Sequence, residues 1–357
     1  MTRINNLKNE LKKANLDGYL TMNIKNIYYF TGFMDISGAI LNLIIPIDDK
    51  PVLLTSPLSY FAASEKAKEC SVKNIGFRGK ILDKTINEIK ELKMKDIAFD
   101  ELQMSMYLKL VKESKDIIFS YNPDIVMRLR SRKDERELEY IKYAAKLTDE
   151  GAEAGMGAVK SGIHEYNVAA EIEYAMRRRG SEGTAFETVV ASGPRSAYPH
   201  GVCSDRIIGD GDFVILDLGA VYSGYRCDIT RTTIVGKPSP KQLRMLNIVM
   251  KAKEEAFRSI RAGIKTREVD AVARRVLSNE RFNKFFIHGL GHGIGLDIHE
   301  LPTISPRTRE TLEKGNVISN EPGIYIRNIG GVRIEDTVLV HKNEGENLTK
   351  AKYYIER

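Results

Sequence analysis

The segment at residues 287–295 limits the folds open to this chain more than any other, because glycine occupies every second position in it from 289 onward. Each glycine in a helix interior would cost about 1 kcal/mol relative to alanine, so a helix is excluded. In a strand, side chains alternate between faces, and another backbone can approach the glycine face closely. The spacing also lacks the G-x-G-x-x-G pattern and the Lys-Ser/Thr pair of a phosphate loop. We predict a tightly packed strand with His288, Leu290, His292 and Ile294 on one face.

Two aspartates form the first candidate pair of metal ligands. Asp217 follows the apolar run 213–216, and Asp228 lies beyond a turn at residues 222–224. A turn at Tyr222-Ser223 would place the aspartates directly opposite each other in a hairpin, and a turn at Ser223-Gly224 would make them diagonal neighbours; they share a face in both cases. The apolar run indicates burial, and two buried like charges need a cation or a proton between them.

Two glutamates repeat this arrangement near the C-terminus. Glu321 and Glu335 flank a loop centred near Asn328, although Pro322 cannot donate to a strand ladder and makes this register less secure. Four carboxylates and an imidazole suit two divalent cations, whose charge cancels that of the carboxylates. Oxygen-rich ligation favours Mn²⁺ or Co²⁺ over a thiolate or tri-histidine zinc site. Two such ions about 3.5–4 Å apart lower the pKa of a bridging water and stabilise a tetrahedral intermediate, which indicates hydrolysis.

Composition excludes several other classes of protein. The 357 residues, 42% of them hydrophobic, can bury a core and are too many for a disulfide miniprotein. No apolar run reaches the about 20 residues of a membrane-spanning helix, and no signal peptide is recognisable. The net charge of +7 comes from scattered basic residues, so we expect neither a nucleic-acid nor a membrane partner. Cys70, Cys203 and Cys227 fit free thiols in a reducing, cytoplasmic compartment.

The chain divides into two predicted domains. Residues 1–125 alternate strand-like and helical runs, which indicates a small α/β domain without histidine; residues 126–357 hold all six histidines and combine long helices with antiparallel-looking strands, which predicts an α+β domain. A capping box formed by Ser131 and Asp134 is predicted before the first long helix. The predicted strands are 19–22, 40–47, 51–55, 96–100, 188–191, 212–218 and 225–235, and the predicted helices are 60–69, 85–92, 135–159, 165–179, 241–261 and 267–278.

The local sequences around the candidate ligands resemble those of the pita-bread (M24) metallopeptidases, and the Xaa-Pro branch, prolidase and aminopeptidase P, more than methionine aminopeptidase. A segment at residues 26–33, Asn-Ile-Tyr-Tyr-Phe-Thr-Gly-Phe, resembles part of the N-terminal domain of that branch. The matching strings are Tyr-Pro-His-Gly at 198–201, Tyr-Arg-Cys-Asp-Ile-Thr-Arg at 225–231, the histidine–glycine segment at 288–295, Asp-Ile-His-Glu at 297–300, Asn-Glu-Pro-Gly at 320–323 and Gly-Val-Arg-Ile-Glu-Asp at 331–336.

This resemblance implies a fold and a metal site. The fold is α+β, with a C-terminal pita-bread (creatinase/aminopeptidase) domain and a smaller N-terminal creatinase-like α/β domain. Two divalent metal ions would bind each chain, with Mn²⁺ or Co²⁺ expected before Zn²⁺ or Fe²⁺. Asp217 would chelate one ion, His292 and Glu321 would chelate the other, and Asp228 and Glu335 would bridge both.

The resemblance also implies catalytic roles and a substrate. Glu321 would accept a proton from the bridging water, His200, His288 and His299 would position the substrate or move protons, and Arg333 would support the carboxylates. The expected substrates are small peptides cleaved before proline, where the bond is a tertiary amide without an N–H group. The expected protein is a homodimeric Xaa-Pro dipeptidase.

Three alternative functions and two minor interpretations accompany this prediction. An Xaa-Pro aminopeptidase acting on longer peptides shares the motifs, and the compact length favours the dipeptidase. A non-catalytic pita-bread binding protein or a metal-free creatinase-like hydrolase is disfavoured because all five ligands are present. Tyr198 or Tyr325 could form an aromatic wall for proline. Cys227 is interpreted as packing, since strand alternation directs it away from Asp228.

Overall fold

A computed structural model describes residues 2–35, 41–77 and 80–353, and the chain divides into two compact units between Arg130 and Ser131. The first unit contains a six-stranded mixed sheet with the order β4-β3-β2-β1-β5-β6. The strands are β1 (Gly18–Thr21), β2 (Asn42–Pro46), β3 (Val52–Thr55), β4 (Ser71–Asn74), β5 (Asp96–Phe99) and β6 (Ile118–Tyr121), and the helices are α1 (Arg3–Lys13), α2 (Ile24–Thr31), α3 (Tyr60–Lys66), α4 (Ile81–Glu91), α5 (Met104–Glu113) and α6 (Asp124–Ser131).

The first unit follows the predicted α/β pattern with shifted boundaries. Its central strands β1, β2 and β3 are buried along their whole length, as expected for strands covered on both faces. Helix α3 ends earlier than predicted and α4 begins earlier, whereas Ile40 of the predicted second strand lies outside the described residues. The predicted domain limit at residue 125 falls in the first turn of α6, and the division between the units falls before the last residue of this helix.

The second unit is built from two helix pairs and antiparallel sheets. Its sheets have the orders β11-β8-β7, β13-β12-β14-β17-β18, β15-β16 and β10-β9. The helices are α7 (Glu135–Ala158), α8 (Glu165–Arg178), α9 (Pro240–Ser259) and α10 (Thr266–Asn279), and the strands are β7 (Val189–Ser192), β8 (Phe213–Leu218), β9 (Val221–Tyr222), β10 (Tyr225–Arg226), β11 (Ile229–Ile234), β12 (Gly291–Gly293), β13 (Glu300–Ile304), β14 (Val317–Asn320), β15 (Gly323–Ile326), β16 (Gly330–Arg333), β17 (Asp336–Val340) and β18 (Gly345–Asn347).

Each helix pair covers its own hydrophobic core in this unit. One core joins α7 and α8 to β7, β8 and β11, and the other joins α9 and α10 mainly to β14–β17. The two sets of strands are linked where Thr230 Oγ1 donates to Glu335 Oε2 at 2.7 Å and Thr232 Oγ1 donates to the Arg333 carbonyl oxygen at 2.7 Å. This junction brings polar strand residues of both sets together.

Two details of the second unit differ from the predictions. The capping box of α7 is formed by Asp134 and Glu137, because Asp134 is the N-cap and Ser131 is still the last residue of α6. The predicted strand 225–235 is interrupted at Cys227 and Asp228, and its two parts belong to different sheets. None of the described helices combines the length and the apolar character that crossing a membrane would need.

Candidate metal centre

All nine residues predicted for the site line one cavity of about 490 Å³ in the second unit. Strands β7, β8, β12, β13, β15 and β16 contribute to its wall, and residues of the loops between strands complete it. A cavity of this size can enclose a small ligand. The nine residues are Asp217, Asp228, His292, Glu321, Glu335, His200, His288, His299 and Arg333.

The first aspartate pair has the diagonal arrangement, one of the two that the sequence allowed. Ser223 and Gly224 have φ angles of 47° and 76°, which places the tight turn at these two residues. Strand β8 pairs with β11 so that Asp217 lies opposite Thr230, two positions from Asp228. Both carboxylates therefore reach the cavity from one face.

The glutamate pair lies directly across a strand ladder. Strands β14 and β17 pair Asn320 with Asp336, and strands β15 and β16 pair Gly323 with Arg333. Glu321 and Glu335 lie between these two pairs in the same register, so they face each other despite Pro322. Ladders on both sides fix this position.

The histidine–glycine segment forms a shorter strand than predicted. Only Gly291–Gly293 is paired, and its register with β13 shifts between the two glycines. The close backbone approach occurs at both glycines, because a Cβ on Gly291 would overlap the Ser319 carbonyl oxygen and one on Gly293 would overlap that of Leu301. His292 is thereby held between two neighbouring strands.

The five predicted metal-binding residues line the same cavity, and the ligand atoms of four of them lie close together. Those of Asp228, His292 and Glu335 all lie within 4.8 Å of one another. His292 Nε2 lies 3.2 Å from Glu321 Oε1 and 3.8 Å from Asp228 Oδ2. Oxygen and nitrogen atoms at these separations match a cluster of metal ligands.

Three of the four carboxylates keep one buried oxygen without a hydrogen-bond partner among the described residues. These atoms are Asp217 Oδ1, Asp228 Oδ1 and Glu335 Oε1. The second oxygens of two of them are satisfied, since Arg333 Nη2 donates to Asp217 Oδ2 at 2.6 Å and Thr230 Oγ1 donates to Glu335 Oε2. Buried polar groups normally have partners, so the unpaired oxygens fit the predicted divalent cations.

The acidic groups strongly perturb one another. Burial, followed by the charges of the neighbouring carboxylates, raises the pKa of Asp228 and of Glu335 well above the ordinary range. Burial also acts to raise the pKa of Glu321, but the hydrogen bond and charge of His292 and the charges of His288 and Arg333 outweigh it and lower this pKa to about 2. Burial and neighbouring charges thus shift the pKa values of neighbouring carboxyls of the same site in opposite directions.

The remaining predicted residues form the rest of the wall. His288 Nε2 lies 3.0 Å from the Tyr325 hydroxyl, which accepts a hydrogen bond of 2.8 Å from Arg333 Nη1. Burial lowers the pKa of His288, and burial followed by the charge of His292 lowers that of His299. His200 and His299 are exposed to the cavity, and the His299 ring lies 4.2 Å from that of His292.

Comparisons with known proteins identify the family of this chain. The model of metallopeptidase family M24 matches residues 139–342, and that of the creatinase/prolidase N-terminal domain matches residues 3–131. The Xaa-Pro dipeptidase of Pyrococcus furiosus is 38% identical over 98% of this chain and 98% of its own length. The chain belongs to metallopeptidase family M24.

Solved structures of M24 metallopeptidases share both domains of this chain. The Xaa-Pro dipeptidase from Bacillus anthracis has a TM-score of 0.94 at 36% identity and covers 99% of both chains. The prolidase from Pyrococcus horikoshii has a TM-score of 0.92 at 35% identity, again over 99% of both chains. The predicted fold, a creatinase-like N-terminal domain with a C-terminal pita-bread domain, is confirmed.

Sequence analysis missed the polar residues that orient the ligands of this M24 metallopeptidase. Thr230 donates to Glu335 and accepts a hydrogen bond of 3.1 Å from Arg333 Nε, and Ser319 Oγ donates to Glu321 Oε1 at 2.9 Å. Their strand positions next to the ligands were the only available signal. Tyr325, unlike the 60% exposed Tyr198, lines the cavity.

Proposed function

We propose that this M24 metallopeptidase is an Xaa-Pro dipeptidase that requires divalent metal ions. The proposal rests on one observation: four carboxylates and His292 line one cavity, and three of the carboxylates keep a buried oxygen without a hydrogen-bond partner among the described residues. The names of the P. furiosus and B. anthracis relatives, both Xaa-Pro dipeptidases, support the substrate class.

We infer that five residues hold two divalent ions. Asp217 is assigned to one ion, His292 and Glu321 to the other, and Asp228 and Glu335 to both. A nearly all-oxygen donor set, with three buried oxygens that no described residue hydrogen-bonds, fits hard divalent cations such as Mn²⁺ or Co²⁺. When bound, such ions polarise a carbonyl group and acidify a water molecule.

The side chains around these ligands supply proton transfer and orientation. Glu321, whose Oε1 lies 3.2 Å from His292 Nε2 in the carboxylate cluster, is assigned as the proton acceptor. His200 and His299 are assigned to the substrate carbonyl and to the proton that the leaving proline nitrogen needs. His288 is oriented by Tyr325, and Arg333 fixes Asp217, which keeps the carboxylate cluster in place.

The cavity also suits a short peptide with proline. Phe186, Val202, Ile298 and Tyr325 give its wall apolar surface next to the carboxylates. An enzyme that acts through the carbonyl group needs no amide N–H at the scissile bond, which a bond before proline lacks. The homodimer and the cytoplasmic location stay predictions.

The decisive experiment measures hydrolysis of an Xaa-Pro dipeptide and of the matching Xaa-Pro-Yaa tripeptide by the metal-free protein titrated with Mn²⁺ or Co²⁺. We expect metal-dependent turnover of the dipeptide with a lower kcat/KM for the tripeptide. Preferred turnover of the tripeptide would identify an aminopeptidase instead, and turnover of neither substrate would refute the proposal.

A further inference from the structure

Glu165, the first residue of α8, is fully buried although it is an acid. Its carboxylate accepts five hydrogen bonds. Oε1 accepts from the Ser192 backbone N–H at 2.8 Å and from Ser192 Oγ at 2.7 Å. Oε2 accepts from the Ser204 backbone N–H at 3.0 Å, from Ser204 Oγ at 2.7 Å and from Arg195 Nε at 3.3 Å. A buried charge persists only when it is well paired, and this one is.

Four of the five donors belong to the two ends of one loop. Ser192 precedes and Ser204 follows residues 193–203, which we call the His200 loop. This loop contributes Pro199, His200 and Val202 to the wall of the cavity. A single carboxylate thus closes the base of the loop, and Arg195 is bound to it from within.

The position of His200 depends on the backbone of this loop. Among the residues that the structure describes, none forms a hydrogen bond with the His200 imidazole. The neighbouring Pro199 carbonyl oxygen accepts a hydrogen bond of 3.3 Å from Arg333 Nη1, which fixes the tip of the loop on the side of the carboxylate cluster. The base of the loop is fixed by Glu165.

We propose that Glu165 is a positioning residue for peptide hydrolysis, because its carboxylate ties both ends of the His200 loop and so holds His200 in the cavity wall. This inference rests on the proposed function. Glu165 does not line the cavity, so its effect on catalysis is indirect.

A glutamine at position 165 would release one end of the His200 loop. E165Q keeps the shape of the side chain, but its amide nitrogen is a donor that faces donors, so one end of the loop loses its acceptor. E171Q is the matched control, since Glu171 is an exposed residue of the same helix. If E165Q does not fold, S204A removes one donor and serves as the second variant.

The test is a double-mutant cycle on the metal-loaded full chain with an Xaa-Pro dipeptide. We expect E165Q to lower kcat/KM about ten- to a hundredfold with unchanged metal content, E171Q to behave as wild type, and E165Q to add little to H200A. Hydrogen exchange of residues 193–203 should be faster in E165Q than in E171Q. Full activity of E165Q, or an effect that multiplies that of H200A, would overturn the positioning role.

The exchange measurement separates this inference from the proposed function. If the wild-type protein does not hydrolyse either peptide, the proposed function fails and the positioning role fails with it, while faster exchange in E165Q would still show the tie itself. If the wild-type protein is active and the loop exchanges equally in both variants, only the role of Glu165 is refuted.

Discussion

Arg333 Nη2 lies 2.6 Å from Asp217 Oδ2, so a buried guanidinium neutralises one carboxylate of the cluster. Its other nitrogens donate to Thr230 Oγ1 at 3.1 Å and to the Tyr325 hydroxyl at 2.8 Å. Lysine carries one compact ammonium group and lacks the planar guanidinium group that donates these three hydrogen bonds. We expect R333K to lower kcat/KM about ten- to a hundredfold, as loss of residues that orient metal ligands does.

The control for this variant is R327K, because Arg327 is exposed on the loop between β15 and β16. Steady-state kinetics of both variants, with metal content measured in parallel, checks the prediction. Equal activity of R333K and R327K would show that a positive charge at position 333 is enough for catalysis and that the guanidinium geometry is not needed.

Removal of one ligand tests the metal centre itself. Asp228 is 5% exposed, and the structure gives it two close ligand neighbours, His292 and Glu335. D228N should bind less than the wild-type amount of metal per chain and lose at least about a hundredfold in kcat/KM. D205N, a change of an exposed aspartate, should do neither. Elemental analysis after dialysis provides the measurement, and full metal content in D228N would contradict the assignment.

The raised pKa values of Asp228 and Glu335 predict a pH-dependent effect of metal on stability. A carboxyl whose folded-state pKa is raised adds stability below its unfolded pKa, and this stability is lost as pH rises through the folded value. The metal-free protein should therefore lose stability above the ordinary carboxyl range, whereas bound cations compensate the two charges. The lowered pKa of Glu321, about 2, has the opposite effect. It adds stability above the ordinary carboxyl range, and this stability is lost only in strongly acidic solution.

The measurement is the difference in Tm between metal-loaded and metal-free protein across mildly acidic to mildly alkaline pH. We expect this difference to widen as pH rises and to be flatter in the double variant D228N/E335Q. A difference independent of pH in the wild-type protein would refute the coupling of the two carboxyls to the metal site.

Arg274 and Asp270 on α10 support the segment around His288. Arg274 donates to the carbonyl oxygens of Phe286, at 3.0 Å, and of His288, and Asp270 Oδ1 accepts from the Leu290 N–H at 3.1 Å. R274M removes these donors and leaves Asp270 buried without its cation. We expect roughly 1–3 kcal/mol less unfolding free energy and reduced kcat, compared with little change in R275M, whose arginine is exposed. Urea unfolding and kinetics of both variants test this, and equal stability would contradict it.

Cys227 lies next to the candidate ligand Asp228 in the sequence, but we expect that catalysis does not need its thiol. Its side chain is fully buried, with Sγ 3.3 Å from Thr337 Oγ1, and it does not line the cavity. Burial raises its pKa, which keeps the thiol protonated and unreactive. C227A should keep most of its activity and metal content while losing about 1 kcal/mol of stability. A large loss of activity with intact metal content would reveal a catalytic thiol.

The sequence predicted which candidate ligands share a face, but not the turn that sets the register of the first pair. The spacing of Asp217 and Asp228 allowed two positions for the turn of their hairpin. Only the backbone conformation could choose between these positions, since Ser223 adopts a positive φ that serine rarely favours. The register of Glu321 and Glu335 followed from the loop centre, because a ladder on each side compensates for the missing N–H of Pro322.

Features that depend on partners in space were not predictable. Helix α1 has three apolar residues at helical spacing, Ile4, Leu7 and Leu11. The polar and charged residues between them make up most of its sequence and hide this pattern. The roles of Glu165 and Thr230 depend on hydrogen bonds to residues distant in sequence, such as Ser204 and Glu335. A single sequence contains no signal for such pairs.

The ladders on either side of Glu321 and Glu335 determine where this chain tolerates insertions. Side chains alternate along a strand, so one residue inserted between Asn320 and Gly323 would turn Glu321 away from Glu335. The loop around Asn328 lies beyond the last ladder pair, Ile326 with Gly330, and can change length without moving either glutamate. Among active descendants of this sequence, insertions and deletions should therefore accumulate in the loop around Asn328 and be absent between Asn320 and Gly323.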